Sequence, residues 1–488
     1  MGAFRFKIRR PQIRLFDTTG LTAEVIQGLN MGILGVTLCM VFSTVTTGAA
    51  WTGYLRLLGA NELTMGIIAA IPVAASTFQI LASYILEKWC ARRALFLYFG
   101  LFSRLSWVVI GVIPYIIPMD AQSLRLTALM VMLALSSGTG AFINVGFYSL
   151  MGDLVPLRIR GRYFSARQAV SLLMGILTGL FISFLMDANE GFFGYTLVIV
   201  IAGIFGALDI CCFFFMKWPA MQRPKGKGEG FFTMLRGVLT DKGYMRVVGY
   251  FVLWFFSVNI IAPFTNVYFL EHTLMSYTEI TVINQIIPNI ATVLVIGWWG
   301  RQMDTYGNQP VMQTVGLYCM LLPIAYVFTG PRIFWIMPLA NVLSGMTWPA
   351  SDLGQQNIYL AKAPAHNRSM YVAVFFAATQ LLGTALSNFV GGVLLSGPMT
   401  QMEQWGWRWL GFDMGRYDFL FILSTLLRMG CVLLLLPRLR EPEDTPALAM
   451  VRDLGKGFSH RTKRVRHMLW ASRVRKKYRR RHRQHEEE

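Results

Sequence analysis

Residues 155–163 read VPLRIRGRY and residues 363–371 read APAHNRSMY, so proline, arginine and tyrosine recur as Pro156, Arg160 and Tyr163, then as Pro364, Arg368 and Tyr371, at a constant offset of 208 positions. Each copy stands just before a long apolar stretch. The same offset, without a gap, pairs Leu135 with Leu343, Ser136 with Ser344, Thr139 with Thr347 and Gly146 with Gly354. Downstream it pairs Ala169 with Ala377, Leu173 with Leu381, Gly175 with Gly383 and Phe181 with Phe389. Ungapped internal similarity between two halves of a hydrophobic chain is the mark of a membrane bundle built by duplication, an architecture typical of transporters.

The composition agrees. Of 488 residues 55% are hydrophobic and only 14% charged, too apolar for two ordinary soluble domains. A hydrocarbon core of about 30 Å takes roughly 20 helical residues. Apolar runs of that length centre near Met31, Ile67, Ile110, Met132, Leu172 and Ile201, and again near Phe255, Val293, Leu321, Val342, Leu381 and Leu427. The expected fold is therefore an all-α polytopic membrane protein of about twelve transmembrane helices in two pseudo-symmetric six-helix bundles.

Basic loops set the expected orientation, because short Lys/Arg-rich loops stay cytoplasmic. Lys7, Arg9, Arg10 and Arg14 precede the first run; Lys88, Arg92 and Arg93 follow the second; Arg158, Arg160 and Arg162 follow the fourth. The intervening loops are acidic or aromatic, with Asp187, Glu190, Trp405, Trp407 and Trp409. Both termini are expected in the cytoplasm and the protein in the cell (inner or plasma) membrane. The net charge of +20 is on this reading a topology signal, and nucleic acid is an unlikely partner. The first apolar run is too long for a signal-peptide core and reads as the first span. Five of six cysteines, Cys39, Cys211, Cys212, Cys319 and Cys431, fall in apolar runs and Cys90 in a loop, so neither a disulfide framework nor a metal cluster is indicated.

The loop motifs resemble those of the major facilitator superfamily of secondary transporters, and the resemblance spans most of residues 25–437. GRQMDTYGNQP, with Gly300, Asp304, Gly307 and Pro310, is similar to that family's loop between the second and third helices of a half. Its first-half counterpart SYILEKWCARR is degraded, with Ser83, Glu87 and Cys90 at the motif positions. GDLVPLRIRGRYFSAR, carrying Asp153, Pro156, Arg160, Gly161 and Arg162, is similar to a form common in poorly characterised bacterial-type members. The resemblance implies alternating access between two bundles, with Asp153, Arg160, Arg162, Asp304 and Arg368 as gating-loop residues. Physically, such an arginine bonds exposed carbonyls at a helix C-terminus, and such an acid pairs with it or with a helix N-terminus. A role limited to capping and topology is the plainer alternative.

Ionisable groups at bilayer depth are costly unless paired or hydrated. Four stand near expected midplanes: Arg104, Asp209, Asp352 and Arg428. In the resembled family helices 1, 4, 7 and 10 line the central cavity. That makes Asp352 the first substrate or proton candidate, with its repeat partner Asn144 and with Trp348, Asn341, Gln356, Asn30 and Asn259. Arg104 and Asp209 belong on neighbouring helices and read as a structural pair, since lone charges there would each be costly. Arg428 has no obvious carboxylate partner; snorkelling and bonding to backbone carbonyls are both open to it. Asn284, Gln285, Pro288 and Asn289 in the eighth run, and Gly175 and Gly179 in the fifth, fit close-packed faces.

The domain reading is a basic N-terminal segment (1–24), a first bundle (25–217), a cytoplasmic linker (218–243), a second bundle (244–437) and a basic tail (438–488). Within the linker, FFTMLRGVLTDKGYMR suits a short amphipathic helix. The bases between Arg461 and Arg483 suit either a solvated tail or anionic lipid headgroups. Enzymatic readings find little support: all six histidines fall in loops or the tail, and no phosphate-binding G-x-x-x-x-G-K motif occurs. No cofactor is expected. The sequence thus points to a transporter of a small solute, with proton coupling through Asp352 as one hypothesis. A transporter-fold scaffold or sensor acting through the tail, and a lipid or amphiphile flippase, are the alternatives.

Overall fold

The computed structural model describes residues 21–450 apart from positions 90, 119, 190, 217, 220–230, 330–334, 365–367, 410–411 and 440–449. Eleven helical segments among the described residues are long and apolar enough to cross a bilayer. Spans 1 to 6 are Ala23–Thr47, Glu62–Ser83, Arg92–Ile116, Gln122–Leu154, Ile159–Ala188 and Phe192–Phe215. Spans 7 to 9 are Lys242–Glu271, Tyr277–Tyr306 and Asn308–Val327, and spans 11 and 12 are Met370–Gln404 and Arg416–Leu439. Between them Ile336–Lys362 is a helix of 27 residues, about 40 Å at 1.5 Å per residue. It is long enough to cross, but its asparagines, glutamines and Asp352 make it too polar to pass on hydropathy; it is span 10 here. The basic N-terminal segment through position 20, most of the linker and the tail from 451 lie outside the described residues.

Local chemistry fixes the ends of these helices. Thr22 and Asn61 accept hydrogen bonds from the backbone N–H groups of Val25 and Thr64 at the starts of spans 1 and 2, and Asp241 accepts from Tyr244 N–H at 3.0 Å at the start of span 7. Gly307 separates spans 8 and 9 at φ 94°, a backbone conformation that strains any side chain, which explains the second glycine of GRQMDTYGNQP. Phe231–Thr240 is a ten-residue helix ahead of span 7, and Ala49–Leu57 a nine-residue helix after span 1. A short antiparallel ladder pairs Arg408 with Asp413 and Trp409 with Phe412 before span 12.

The repeat in the sequence is repeated in the packing. Thr139 Oγ1 donates to the carbonyls of Leu135 (2.7 Å) and Ser136 (3.1 Å), and Thr347 Oγ1 to those of Leu343 (2.8 Å) and Ser344 (3.2 Å). Gly146 lets span 4 close on Phe96 of span 3, and Gly354 lets span 10 close on Met312 of span 9. Gly175 faces Met40 of span 1, as Gly383 faces Phe255 of span 7. Tyr163 donates to the Leu29 carbonyl of span 1 (3.3 Å), while Tyr371 donates to Asp241 at the start of span 7 (3.3 Å).

The halves differ in helix continuity. Wider π-helical turns interrupt spans 8, 11 and 12 at Val282–Ile286, Thr379–Ala385 and Cys431–Leu435. Among the described residues the first half has none. Such bulges are frequent at functional sites, and two of these three face the first half.

Candidate functional site

A cavity of about 550 Å³ lies between the halves, within the size range of small-molecule sites. Spans 1 to 4 and the helix after span 1 supply most of its wall; span 7 adds Asn259 and Asn266, and span 11 adds Thr384 and Asn388. Phe42, Trp51 and Trp107 form an aromatic side, with Trp51 and Trp107 ring centroids 4.9 Å apart. Thr46, Thr47, Gln79, Ser136 and Asn144 supply hydroxyl and amide groups.

Arg104 is the one ionisable residue among the lining side chains. Its guanidinium carbon sits 3.8 Å from the centroid of the Phe42 ring, and its Nη2 lies 3.9 Å from the Asp209 carboxylate and 3.7 Å from Cys39 Sγ. Small residues allow this arrangement: a side chain at Gly206 would strike Arg104 and Phe42, and one at Gly35 would strike the carboxylate of Asp209. The resemblance leaves span 3 out of the cavity lining; Arg104 stands at the cavity wall nonetheless, where Gly206 of span 6 makes room for it.

One end of the molecule is tied across the halves. Arg56 Nη2 donates to Glu62 (2.8 Å), to Tyr417 (2.9 Å) and to Glu271 (3.3 Å), and Arg56 Nε lies 2.8 Å from Glu271. Glu62 also pairs with Arg416 at 2.9 Å and accepts from Tyr417 at 3.2 Å. Asp187 of span 5 accepts from the backbone N–H groups of Tyr277 (2.8 Å) and Thr278 (3.0 Å), capping the start of span 8 from the other half. Ser183 bonds to Thr281, and Tyr195 to Tyr277. Burial works against the charge of Arg56, but the bond to Glu62 together with the charges of Tyr417, Glu271 and Glu62 outweighs it and holds the guanidinium above its ordinary pKa. Burial pushes the neighbouring His272 imidazole down from its usual value.

At the opposite end, where span 1 begins and span 12 ends, the ion pairs and side-chain hydrogen bonds among the described residues stay within each half. Arg92 bonds to Asp153 (2.6 Å) and Ser149 (2.9 Å) in the first half, and Asn357 to Asn308 (2.9 Å) in the second. Among the described residues, every hydrogen bond that crosses between the halves lies from mid-depth, where Asn388 reaches the Ala69 carbonyl (3.3 Å), to the tied end.

The Major Facilitator Superfamily model matches residues 32–388. The chain belongs to the Major Facilitator Superfamily. No curated protein matches the sequence. Among solved structures this superfamily member is similar to the nucleoside transporter NupG (TM-score 0.63, 13% identity, covering 86% of this chain and 100% of that one). It is likewise similar to a bacterial homologue of the human lysosomal transporter Spinster in an inward-facing, unoccupied conformation (TM-score 0.61, 16% identity, 86% and 98%). A D-xylose-proton symporter matches at TM-score 0.60 and 12% identity over 87% of this chain and 99% of its own. At such identities the likeness is one of fold. The family match and the apolar spans make the chain an integral membrane protein.

Within this superfamily member the sequence-selected residues separate. Asn144 and Asn259 line the cavity, and Asn259 Nδ2 donates to the Phe255 carbonyl (2.8 Å) and to Thr384 (3.4 Å). Asp352, Gln356 and Asn30 are exposed and stand outside the cavity lining. Trp348 packs on Trp254 with centroids 6.1 Å apart, and Asn341 is buried with its amide on the Met337 carbonyl (3.1 Å). Span 10 therefore contributes no side chain to the cavity, against the expectation from helices 1, 4, 7 and 10. Its buried face, with Ala340, Thr347, Ala350 and Gly354, is committed to spans 8 and 9, while span 2 and span 11 approach each other and take the place at the cavity.

Of the gating-loop residues, Arg160 Nη2 donates to the carbonyls of Gly152 (2.9 Å) and Val155 (3.2 Å) at the end of span 4, and Asp153 pairs with Arg92 instead of with Arg160. Arg162 and Asp304 are exposed, and the side chain of Arg368 lies outside the described residues. Arg428 is 2% exposed and donates to the carbonyls of Cys319 (2.9 Å) and Val258 (3.5 Å). Gly179 leaves room for Gln285 of span 8.

The tied-end residues Arg56, Glu62, Glu271, Arg416 and Tyr417 were absent from the sequence reading. A signal was present. Arg56 and Arg416 are cations between or at the edges of the expected spans, on the side that the expected orientation leaves poor in Lys and Arg.

Proposed function

We propose that this protein is a secondary active transporter of a small polar solute, working by alternating access, and that this conformation is closed at the end remote from the termini. The observation that carries the reading is the asymmetry around the cavity: cross-half ion pairs and hydrogen bonds stand at one end, and intra-half contacts at the other. With both termini in the cytoplasm, as the basic loops suggest, the cavity faces inward. The four cavity asparagines, Asn144, Asn259, Asn266 and Asn388, favour a polar solute over a lipid.

Coupling to a proton gradient is proposed to use Asp209 beside Arg104, the acid next to the cavity, and not Asp352. Asp209→Asn is expected to abolish gradient-driven uptake while sparing solute exchange at equal pH.

The direct test needs no substrate. Asn144→Cys, in a variant whose native cysteines are replaced, is exposed to a membrane-impermeant thiol reagent in vesicles of each orientation. Labelling from the termini side, with slower labelling from the other side that Glu62→Gln accelerates, is expected. Equal labelling from both sides, unaffected by Glu62→Gln, would remove alternating access and favour a scaffold.

A further inference from the structure

Two buried polar atoms at the cavity have no partner. Asn388 of span 11 is 5% exposed; its Nδ2 reaches the Ala69 carbonyl, but Oδ1 accepts nothing. On the facing half, Nε of Arg104 is buried and donates to nothing. Buried unpaired groups are rare in folded proteins, and each asks for an explanation. Here both belong to residues that line the same cavity, one an acceptor and one a donor.

A continuous aromatic wall flanks them. Phe42 meets Trp107 edge to face at 5.5 Å and Trp107 lies 4.9 Å from Trp51. Trp51, half-buried, presents more of its ring than the other two. Aromatic rings bind flat partners by offset stacking. The charge balance is close to neutral, since the Arg104 cation has the Asp209 carboxylate 3.9 Å away. A solute with a full charge would have to displace one member of that pair.

We infer that the solute is an uncharged, planar heteroaromatic molecule whose edge carries an N–H and a C=O, with the C=O on Arg104, the N–H on Asn388 and the ring against Trp51. This rests on the transporter reading above and specifies its substrate class. Because Arg104 and Asn388 stand on opposite halves, such a solute ties the two bundles together at mid-depth. Solute binding is then coupled to the relative position of the halves, which alternating access requires.

The test is equilibrium binding to purified full-length protein of radiolabelled nicotinamide and of uracil, with xylose and diglycine as competitors. At least one heteroaromatic is expected to bind, with its Kd raised tenfold or more by Trp51→Ala and by Asn388→Leu and little changed by Trp51→Tyr. Xylose and diglycine are expected not to compete. An unchanged melting temperature without ligand establishes that each variant is folded, and Asn388→Ser replaces Asn388→Leu where it is not. Binding of neither heteroaromatic, binding indifferent to both substitutions, or competition by xylose or diglycine overturns the assignment. The ligand-free labelling experiment separates the cases: failure there removes transport, and failure here removes only the substrate class.

Discussion

The two ends of the molecule are built from different chemistry. At the tied end, charges are shared between halves: Glu62 of the first half holds Arg56 from its own side and Arg416 from the other. At the termini end, charges are kept within a half: Arg92 holds Asp153, Arg160 caps span 4, and the second half has the uncharged pair Asn308 and Asn357 where the first has Arg92 and Ser149. A network that crosses the interface stabilises one relative position of the bundles. A network confined to a bundle stiffens that bundle and is neutral to its position. On the proposed reading the tied end is a lock made of ion pairs between the halves, whereas the opposite end holds its polar contacts inside each bundle.

The largest effect is expected from Glu62→Gln, which takes from Arg416 its carboxylate and leaves Arg56 with Glu271 alone. Removing one member of a buried ion pair costs about 3–5 kcal/mol; with both arginines partly exposed, about 2–3 kcal/mol is appropriate. Labelling of Asn144→Cys from the remote side should rise by roughly 30–150-fold. A rise under threefold would show that the lock lies elsewhere.

Gly66→Val comes next. Gly66 of span 2 stands against the backbone of Asn388 and Gly392 of span 11, with a Cβ placed 2.5 Å from the Asn388 carbonyl oxygen. Overpacking of this kind costs about 1–3 kcal/mol, so remote-side labelling should increase by about tenfold. A thermal melt separates opening of the interface from loss of the fold. Asp187→Ala, which deletes the cross-half cap on span 8, should give about fivefold, near the 1 kcal/mol typical of a cap.

His272 gives a pH-dependent form of the same comparison. Its depressed pKa means that the closed end favours the neutral ring. Closure is therefore fully present above the ordinary histidine value of about 6.5 and is lost as pH falls through the lower, folded-state value. Remote-side labelling should rise by less than about fivefold between pH 7.5 and 5.5, and His272→Gln should flatten the profile. The smallest effect belongs to Asp352→Asn, expected to change neither labelling nor uptake by more than about twofold, because its carboxylate stands outside the cavity lining and, among the described residues, takes part in no hydrogen bond. Loss of uptake in that variant would return Asp352 to the transport path.

The fold was legible because a duplicated chain repeats its packing contacts along with its residues. Thr139 and Thr347 make the same bonds, and Gly146 and Gly354 serve the same close approach. The proximity of Arg104 and Asp209 was legible too, since two lone charges on adjacent helices have each other as the cheapest partner. The cavity was less so. An internal repeat describes only what the two halves share, whereas the cavity lies unsymmetrically between them, lined by residues of spans 2 and 11 and by none of span 10. The lock was hidden for another reason: Arg56 and Arg416 are 360 positions apart and related by no repeat, so each alone resembles a solvated loop charge.

The central claim is that the two ends move in opposite senses. Double electron–electron resonance can measure this with one pair of spin labels at the tied end, on Ser123 and Gln404, and another at the termini end, on Gly152 and Ala361, all exposed positions. Adding Glu62→Gln should lengthen the first distance and shorten the second. If both distances lengthen together, or if only the first moves, the halves do not alternate about the cavity and the account is wrong.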